Sequence, residues 1–298
     1  MKRQSYLNRR RSIEKGFEFI EKNCEDGFYR CYIGTSREMD DLKLSPREVG
    51  SSLLILRTVL KERRDADITR RTLNYCKSQL DGDFFTFFEN HSLPFDTDVS
   101  SWALSTLLEM SEISRDIVSK AVDKTISNVN NNGIIQIYFE PCGKENRIDH
   151  VGIANALYLI NLFDRGAEAT KSEDYIFDIL ANKRYLQGAY YYHSPDMFLY
   201  VLSSLFEKFP HFNKRFGKLL KNELQNRIGT TKWPLDLAMR VSSAKRLQIN
   251  NETDEKYLLK LQKGEGNWPA DAIYHYGRKV GYFGSSIITT AFAIEALK

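Results

Sequence analysis

The chain has 298 residues, with 43 Lys and Arg against 39 Asp and Glu for a formal net charge of +4, and 42% hydrophobic residues beside 28% charged ones. That balance excludes an electrostatic glove for nucleic acid, a disordered chain and a fibrous repeat, and leaves a globular protein with a large core. The 18 Phe, 16 Tyr and 3 Trp are many rings for such a protein and ask for a use.

Cys24, Cys31, Cys76 and Cys142 form no CxxC pair, which predicts reduced thiols. The N-terminal MKRQSYLNRRR has no apolar stretch behind it, and no 18-residue apolar run occurs anywhere, so the expectation is a cytoplasmic, non-spanning chain. Arg9, Arg10 and Arg11 form the one cluster able to touch an anionic lipid surface peripherally.

From the N-terminus onward, two kinds of segment alternate. Residues 11–23, 66–80, 115–129, 172–182, 212–227 and 253–262 carry apolar positions at i, i+3, i+4 and i+7, such as Ile13, Phe17 and Ile20 in the first, and polar residues elsewhere. Each predicts a helix with one buried stripe. Residues 45–60, 96–110, 149–163, 194–206, 234–247 and 284–298 are apolar nearly all round, which predicts buried helices. Ser45, Asp96, Asp149 and Ser194 open four of them, with Pro at the first turn in two cases, as helix starts favour. Between the members of each pair stands a glycine followed by aromatic or apolar residues: Gly27, Gly82, Gly133, Gly188, Gly229 and Gly266, spaced 37 to 55 residues apart.

Six degenerate repeats therefore predict an all-α fold over residues 1–298 as a single domain, an (α/α)6 double barrel or toroid with six inner helices inside six outer ones. The first outer segment begins near the N-terminus and the last inner one ends at Lys298, so closure would let the ends cap each other. All inner helices would then start at one mouth.

Acids mark four of those starts: Asp96 with Asp98, then Asp149, Asp196 and Asp236. Each singly reads as a cap or first-turn acid favoured by the helix dipole. Asp96 and Asp98 are doubled and lead into Trp102 on an apolar helix, and two carboxylates so spaced can titrate as a pair. No His or Cys spacing suits zinc, and Asp40 with Asp41 reads as a solvated pair before it reads as a Mg²⁺ site. Phosphate-loop, GxSxG and HExxH motifs are missing.

The block FDTDVSSWALSTL, the glycine and aromatic turns, and Gln262 to Trp268, which fits QxxxGxW, resemble the class II terpene cyclases of the squalene-hopene cyclase superfamily. Within that superfamily the one-barrel length is similar to the small bacterial meroterpenoid and sesquiterpenoid cyclases. The resemblance implies a protonation-initiated cyclisation of a linear isoprenoid or prenylated aromatic, in which Asp98 matches the proton-donating middle Asp of an Asp-x-Asp-Asp motif and Asp96 its first Asp. Val99 stands where the motif has its last Asp, followed by Ser100 and Ser101.

Such chemistry needs a dry acid and aromatic walls that stabilise carbocations without attacking them. Trp102, Trp233, Trp268, Tyr192, Tyr274 and Phe283 are the candidate walls, with Phe84, Phe85 and Tyr282 near them, and His150 is the candidate proton relay or orienting group. Arg37, Lys43, Arg47 and Arg278 could meet a polar head group. No cofactor is expected, and Mg²⁺ would enter only with a diphosphate substrate; the partner is a hydrophobic small molecule, not nucleic acid, and oligomeric state leaves no trace in the sequence. Two other readings stay open: an α/α-barrel glycosidase using Asp98 with Asp149 or Asp236, and a non-catalytic ring that binds a lipid or a protein.

Overall fold

The structure, a computed structural model, describes residues 2–140, 146–276 and 281–298. Cys142 and Arg278 lie outside the described residues. The outer segments become α1 (Lys2–Lys22), α3 (Asp67–Ser78), α5 (Arg115–Ser127), α7 (Thr170–Ala181), α9 (Pro210–Arg227) and α11 (Glu252–Leu261). Between them run α2 (Val49–Ile55), α4 (Thr97–Glu109), α6 (His150–Asn161), α8 (Pro195–Lys208), α10 (Pro234–Arg246) and α12 (Ser286–Leu297). The second set is buried as its all-round apolarity predicts; every residue of α6 is buried.

Local chemistry sets the starts of these helices. Asp96 accepts from the Val99 amide, Asp149 from the amides of Val151 and Gly152, Ser194 from Asp196 and Ser285 from Ile288. Some buried hydroxyls inside the inner helices return to their own backbone, as Thr106 does to Trp102 O at 2.7 Å and Ser243 to Met239 O at 2.7 Å, whereas those of Ser52, Ser101, Ser105 and Ser242 are buried without a partner.

Packing follows the repeat order. α4, α6, α8, α10 and α12 pack in succession, α12 also packs on α2, and α1 packs on α12. The last repeat thus meets the first. Gly266 shows how closely: its φ is 94°, and a Cβ there would stand 2.4 Å from the Lys15 carbonyl oxygen of α1. The Gln262 side-chain amide donates to Ser12 O and to Gly266 O, both at 2.8 Å, tying the same two segments.

Two features depart from an all-α expectation. A four-stranded antiparallel sheet, in the order β2-β1-β4-β3, joins β1 (Tyr32–Gly34), β2 (Lys43–Leu44), β3 (Ala272–Tyr276) and β4 (Gly281–Gly284). β1, β3 and β4 carry the aromatic and β-branched residues that follow the first and last glycine turns and favour strands, and β2 is the short exposed Lys43–Leu44 segment paired with β1. The other departure is in the first inner helix, where residues 56–60 form a π-helical stretch, with the Lys61 amide donating to Leu56 O at 2.9 Å. Among the described residues no helix is long and apolar enough to cross a membrane.

Candidate active site

Asp98 lies in the first turn of α4 and is 8% exposed; Asp96, the cap of the same helix, is 6% exposed. The Asp98 carboxyl is held from two sides. Asn155, on α6, donates its side-chain amide to Oδ1 at 2.7 Å, and the Tyr192 hydroxyl donates to Oδ2 at 2.5 Å. Burial pushes Asp98 up to about 6, against the lowering pull of the Tyr192 and Asn155 bonds and the nearby Arg57 charge. Asp96 is raised well above the usual carboxylate range, first by burial and then by the charge of Asp98. Its Oδ1 accepts from the Val99 amide at 2.7 Å, so it both caps the helix and faces its neighbour as a like charge.

Asp98 sits at the junction of two cavities. The outer one encloses about 510 Å³ including its open mouth, and Asp96, Asp98, Val99, Tyr138, Tyr191, Tyr192, Tyr274, His275, Tyr276, Phe87, Phe88 and Phe283 are among its walls. The inner one, about 220 Å³, is floored by Leu53, Leu54 and Trp102 and shares Asp98, Val99, Tyr192 and Tyr274 with the outer one. The paired strands β3 and β4 bring Tyr274, Tyr276 and Phe283 to the outer cavity. Tyr192 and Tyr274 face each other with centroids 5.3 Å apart, and both hydroxyls are raised well above the ordinary phenol value, chiefly by burial, so they stay neutral.

Of the rings singled out from the sequence, Trp102, Tyr192, Tyr274 and Phe283 line these cavities. Trp268 does not: it is fully buried elsewhere, its indole N–H donating to Leu258 O at 2.7 Å. Nor does Trp233, which lies under the Arg37 guanidinium at 4.5 Å. Phe84 packs on Phe95 and Phe139 instead. His150 makes no hydrogen bond with either acid. Its ring meets Phe198 edge-on at 4.8 Å, Nε2 is buried without a partner, and burial lowers its pKa, while Asn155 one turn further along α6 takes the place beside Asp98.

The remaining mouth acids are committed to structure. Asp149 spends one oxygen on capping α6 and the other on the Tyr191 amide at 2.8 Å. Asp236 pairs with Arg37 at 2.7 Å and accepts from Ser194 and Thr231. Asp196 is gripped by Arg227 and Arg240. A glycosidase pair of Asp98 with Asp149 or Asp236 therefore has no free second carboxylate. Among the candidate rim bases, Arg37 also holds Asp271, and Arg47 holds Glu89. Asp40 and Asp41 accept from Ser36 and Thr35, and no group of three or more metal-ligating side chains occurs among the described residues.

Sequence reasoning missed Asn155, Tyr138, Tyr191, Tyr276 and His275. Asn155 had a signal, since a lone amide inside the apolar run IANALYLI demands a partner. His275 and Tyr276 lie on β3, and Tyr138 and Tyr191 lie in the segments leading to α6 and α8, so their places over the mouth depend on long-range pairing.

The fold and this chamber define a terpene-cyclase type of protein: residues 13–163 match the sesquiterpene cyclase astC-like C-terminal domain, and the chain belongs to that family. Drimenol cyclase drtB of Aspergillus calidoustus is 28% identical over 208 residues, 69% of this chain. The match takes in 38% of that relative, so the chain spans well under half of its length. The type II terpene cyclase MstE from Scytonema, solved with geranylgeranyl dihydroxybenzoate, superimposes at a TM-score of 0.69 with 11% identity, over 98% of this chain and 97% of MstE. MstE with merosterolic acid A gives 0.70 at 12% identity, over 100% and 98%, and a protein from Actinoplanes gives 0.70 at 13%, over 97% and 98%. At such identities these likenesses concern the fold.

Proposed function

We propose that this chain is a class II terpene cyclase domain in which Asp98 protonates a linear isoprenoid and so starts a carbocation cyclisation. One observation carries it: a buried carboxyl, raised toward neutrality, at the junction of two aromatic-walled cavities. Burial raises Asp98 to about 6, so the proton-bearing form dominates below that pH and persists as a minor fraction just above it. When the O–H bond breaks and the proton joins an alkene carbon, the Tyr192 and Asn155 donors receive the new carboxylate, so their bonds strengthen as charge develops. Asp96 is the like-charged neighbour that shares the proton of the pair.

The chamber walls suit a carbocation. Tyr192, Tyr274, Phe87, Phe88 and Phe283 offer π faces to a cation and no strong nucleophile, and they crowd out water. Trp102 already has the Arg57 guanidinium 4.9 Å from its ring centroid, so its π density is partly engaged and cations rest better over the tyrosines. His275 borders the outer cavity with Nδ1 buried and unpartnered, and burial lowers its pKa, so it is neutral and able to accept the proton lost at the end.

The family and the name of the fungal relative favour a sesquiterpene-sized substrate. The contacts running from each inner helix to the next and from the last to the first support reading residues 1–298 as one (α/α)6 double barrel. No cofactor is required by a step that Asp98 itself initiates, and Mg²⁺ would accompany only a diphosphate substrate. A cytoplasmic setting with surface contact to membranes, where such substrates partition, is compatible with this reading.

The test is incubation of wild type and Asp98→Asn with linear prenyl alcohols, prenyl diphosphates and prenylated phenols in D₂O. Wild type is expected to give a cyclic product carrying one deuterium, and Asp98→Asn none. Unchanged substrate from wild type across the series, with binding still measurable, would replace the cyclase reading by that of an isoprenoid-binding ring.

A further inference from the structure

At the opposite pole the C-terminal ends of the six inner helices enclose a second, polar cavity of about 740 Å³ open to solvent. Its carboxylates are all engaged. Glu109 accepts from Tyr158 at 2.6 Å and pairs with Lys208 at 3.1 Å, Glu295 accepts from Tyr200 at 2.8 Å and pairs with Arg246 at 2.7 Å, and Glu207 stands 3.4 Å from Arg246. The side chains of two cations of the lining, Arg57 and Lys61, make no hydrogen bond or ion pair among the described residues. Arg57 instead lies between two rings, its central carbon 4.9 Å from the centroids of both Trp102 and Tyr158.

Cations near helix C-termini ordinarily serve the carbonyls there. Here other residues do that work: Arg64 donates to Glu109 O and Met110 O, Arg115 to Leu162 O, Lys245 to Ala296 O and Lys298 to Val59 O. Arg57 and Lys61 serve none. The π-helical stretch places both at the end of the first inner helix, one turn apart, facing the same cavity. Burial and the adjacent Arg57 charge lower the Lys61 pKa, and the charges of Glu109 and Glu295, both already paired with other cations, offset this only in part. The rings of Trp102 and Tyr158 hold the guanidinium by cation–π contact, and its N–H groups, which make no hydrogen bond among the described residues, suit a fork-shaped acceptor.

We infer that this well binds a phosphate-class oxyanion between Arg57 and Lys61, at a site separate from the Asp98 chamber and divided from it by Trp102. Anion binding there does not depend on cyclase activity in the chamber. A charge-assisted contact of this kind carries about tenfold or more in affinity.

Calorimetric titration of the intact chain with inorganic diphosphate and, separately, inorganic phosphate, at ionic strength matched by sodium chloride, tests it. One saturable site is expected for at least one of the two anions in wild type. Lys61→Met and Arg57→Met should each weaken it at least tenfold, Lys61→Arg should retain it, and Lys77→Met, on the outer surface where Lys77 pairs with Glu112, should bind as wild type. Circular dichroism in anion-free buffer confirms that each variant is folded; if Arg57→Met is not, Lys61→Met and Lys61→Arg decide. No saturable binding of either anion, or binding unaffected by Lys61→Met, overturns the inference.

Discussion

The Tyr192 hydroxyl donates to Asp98 Oδ2 at 2.5 Å, joining the turn before α8 to the first turn of α4 across 94 positions of sequence. It sets both the strength and the availability of the acid. The bond favours the carboxylate, while burial of the same group favours the protonated form.

The proposed reaction therefore depends on pH in a stated direction. Asp98 titrates at about 6, and only its protonated form can donate, so turnover should be highest below that value and fall as pH rises through it. Tyr192→Phe removes a bond that lowers the Asp98 pKa, so its falling limb should move to higher pH. Its plateau should drop roughly 10- to 100-fold, because the nascent carboxylate loses a donor. A pH profile of cyclisation for both proteins decides; a limb that stays in place would separate Tyr192 from the acid.

Glu48 is fully buried beneath β1 and the mouth, held by the hydroxyls of Ser45 and Ser51, and burial raises its pKa from 4.5 to about 7. The folded state thus holds the proton more tightly than the unfolded chain. That stabilisation is complete below about pH 4.5 and is lost as pH rises through about 7, a change on the order of 3 kcal/mol. Glu48→Gln should flatten the curve of urea stability against pH across that interval. Equal slopes for the two proteins would show that Glu48 does not titrate there.

The positions of the twelve helices are legible in the sequence because burial acts on every residue: one stripe of apolar positions marks an outer helix, and apolarity all round marks an inner one. Asp98 is legible for a related reason, an acid doubled with Asp96 at the start of an apolar run that leads into Trp102. The sheet is not, because β1 and β4 are brought together by the meeting of the first and last repeats, at opposite ends of the sequence. His150 and Asn155 show the same limit on a finer scale. Both are polar residues on α6, and only the rotation of that helix against α4 decides that Asn155 faces Asp98 while His150 faces Phe198. Trp102 and Trp268 likewise look alike in sequence, and differ in whether the ring closes a cavity or a helix seam.

Asp236 and Asp271 share one guanidinium. Arg37 lies 2.7 Å from Asp236 and 2.9 Å from Asp271; burial alone would raise Asp236, but Arg37 holds it below its ordinary value, whereas Asp271 rises to about 6 despite the same partner. Asp236→Ala leaves the buried Arg37 half-compensated and should cost roughly 3–5 kcal/mol in chemical denaturation. Since the chamber is built without Asp236, the products formed at low temperature should be those of wild type. A changed product pattern at full stability would instead give Asp236 a part in the chemistry.

Trp268 tests the division between seam and chamber most directly. Its indole N–H donates to Leu258 O at 2.7 Å, its amide to Thr290 Oγ1 at 3.0 Å, and a Cβ on Gly16 would stand 3.3 Å from its ring, so it locks α1, α11 and α12 together where the last repeat meets the first. Trp268→Ala removes a fully buried ring and one donor, at about 3–5 kcal/mol. Trp102→Ala, by contrast, enlarges the floor beneath Asp98 and frees the guanidinium of Arg57. Urea midpoints and product analysis of the two variants should therefore diverge: Trp268→Ala loses stability and keeps its products, whereas Trp102→Ala changes the products themselves. If Trp268→Ala alters the products and Trp102→Ala does not, the floor of the chamber has been assigned to the wrong ring.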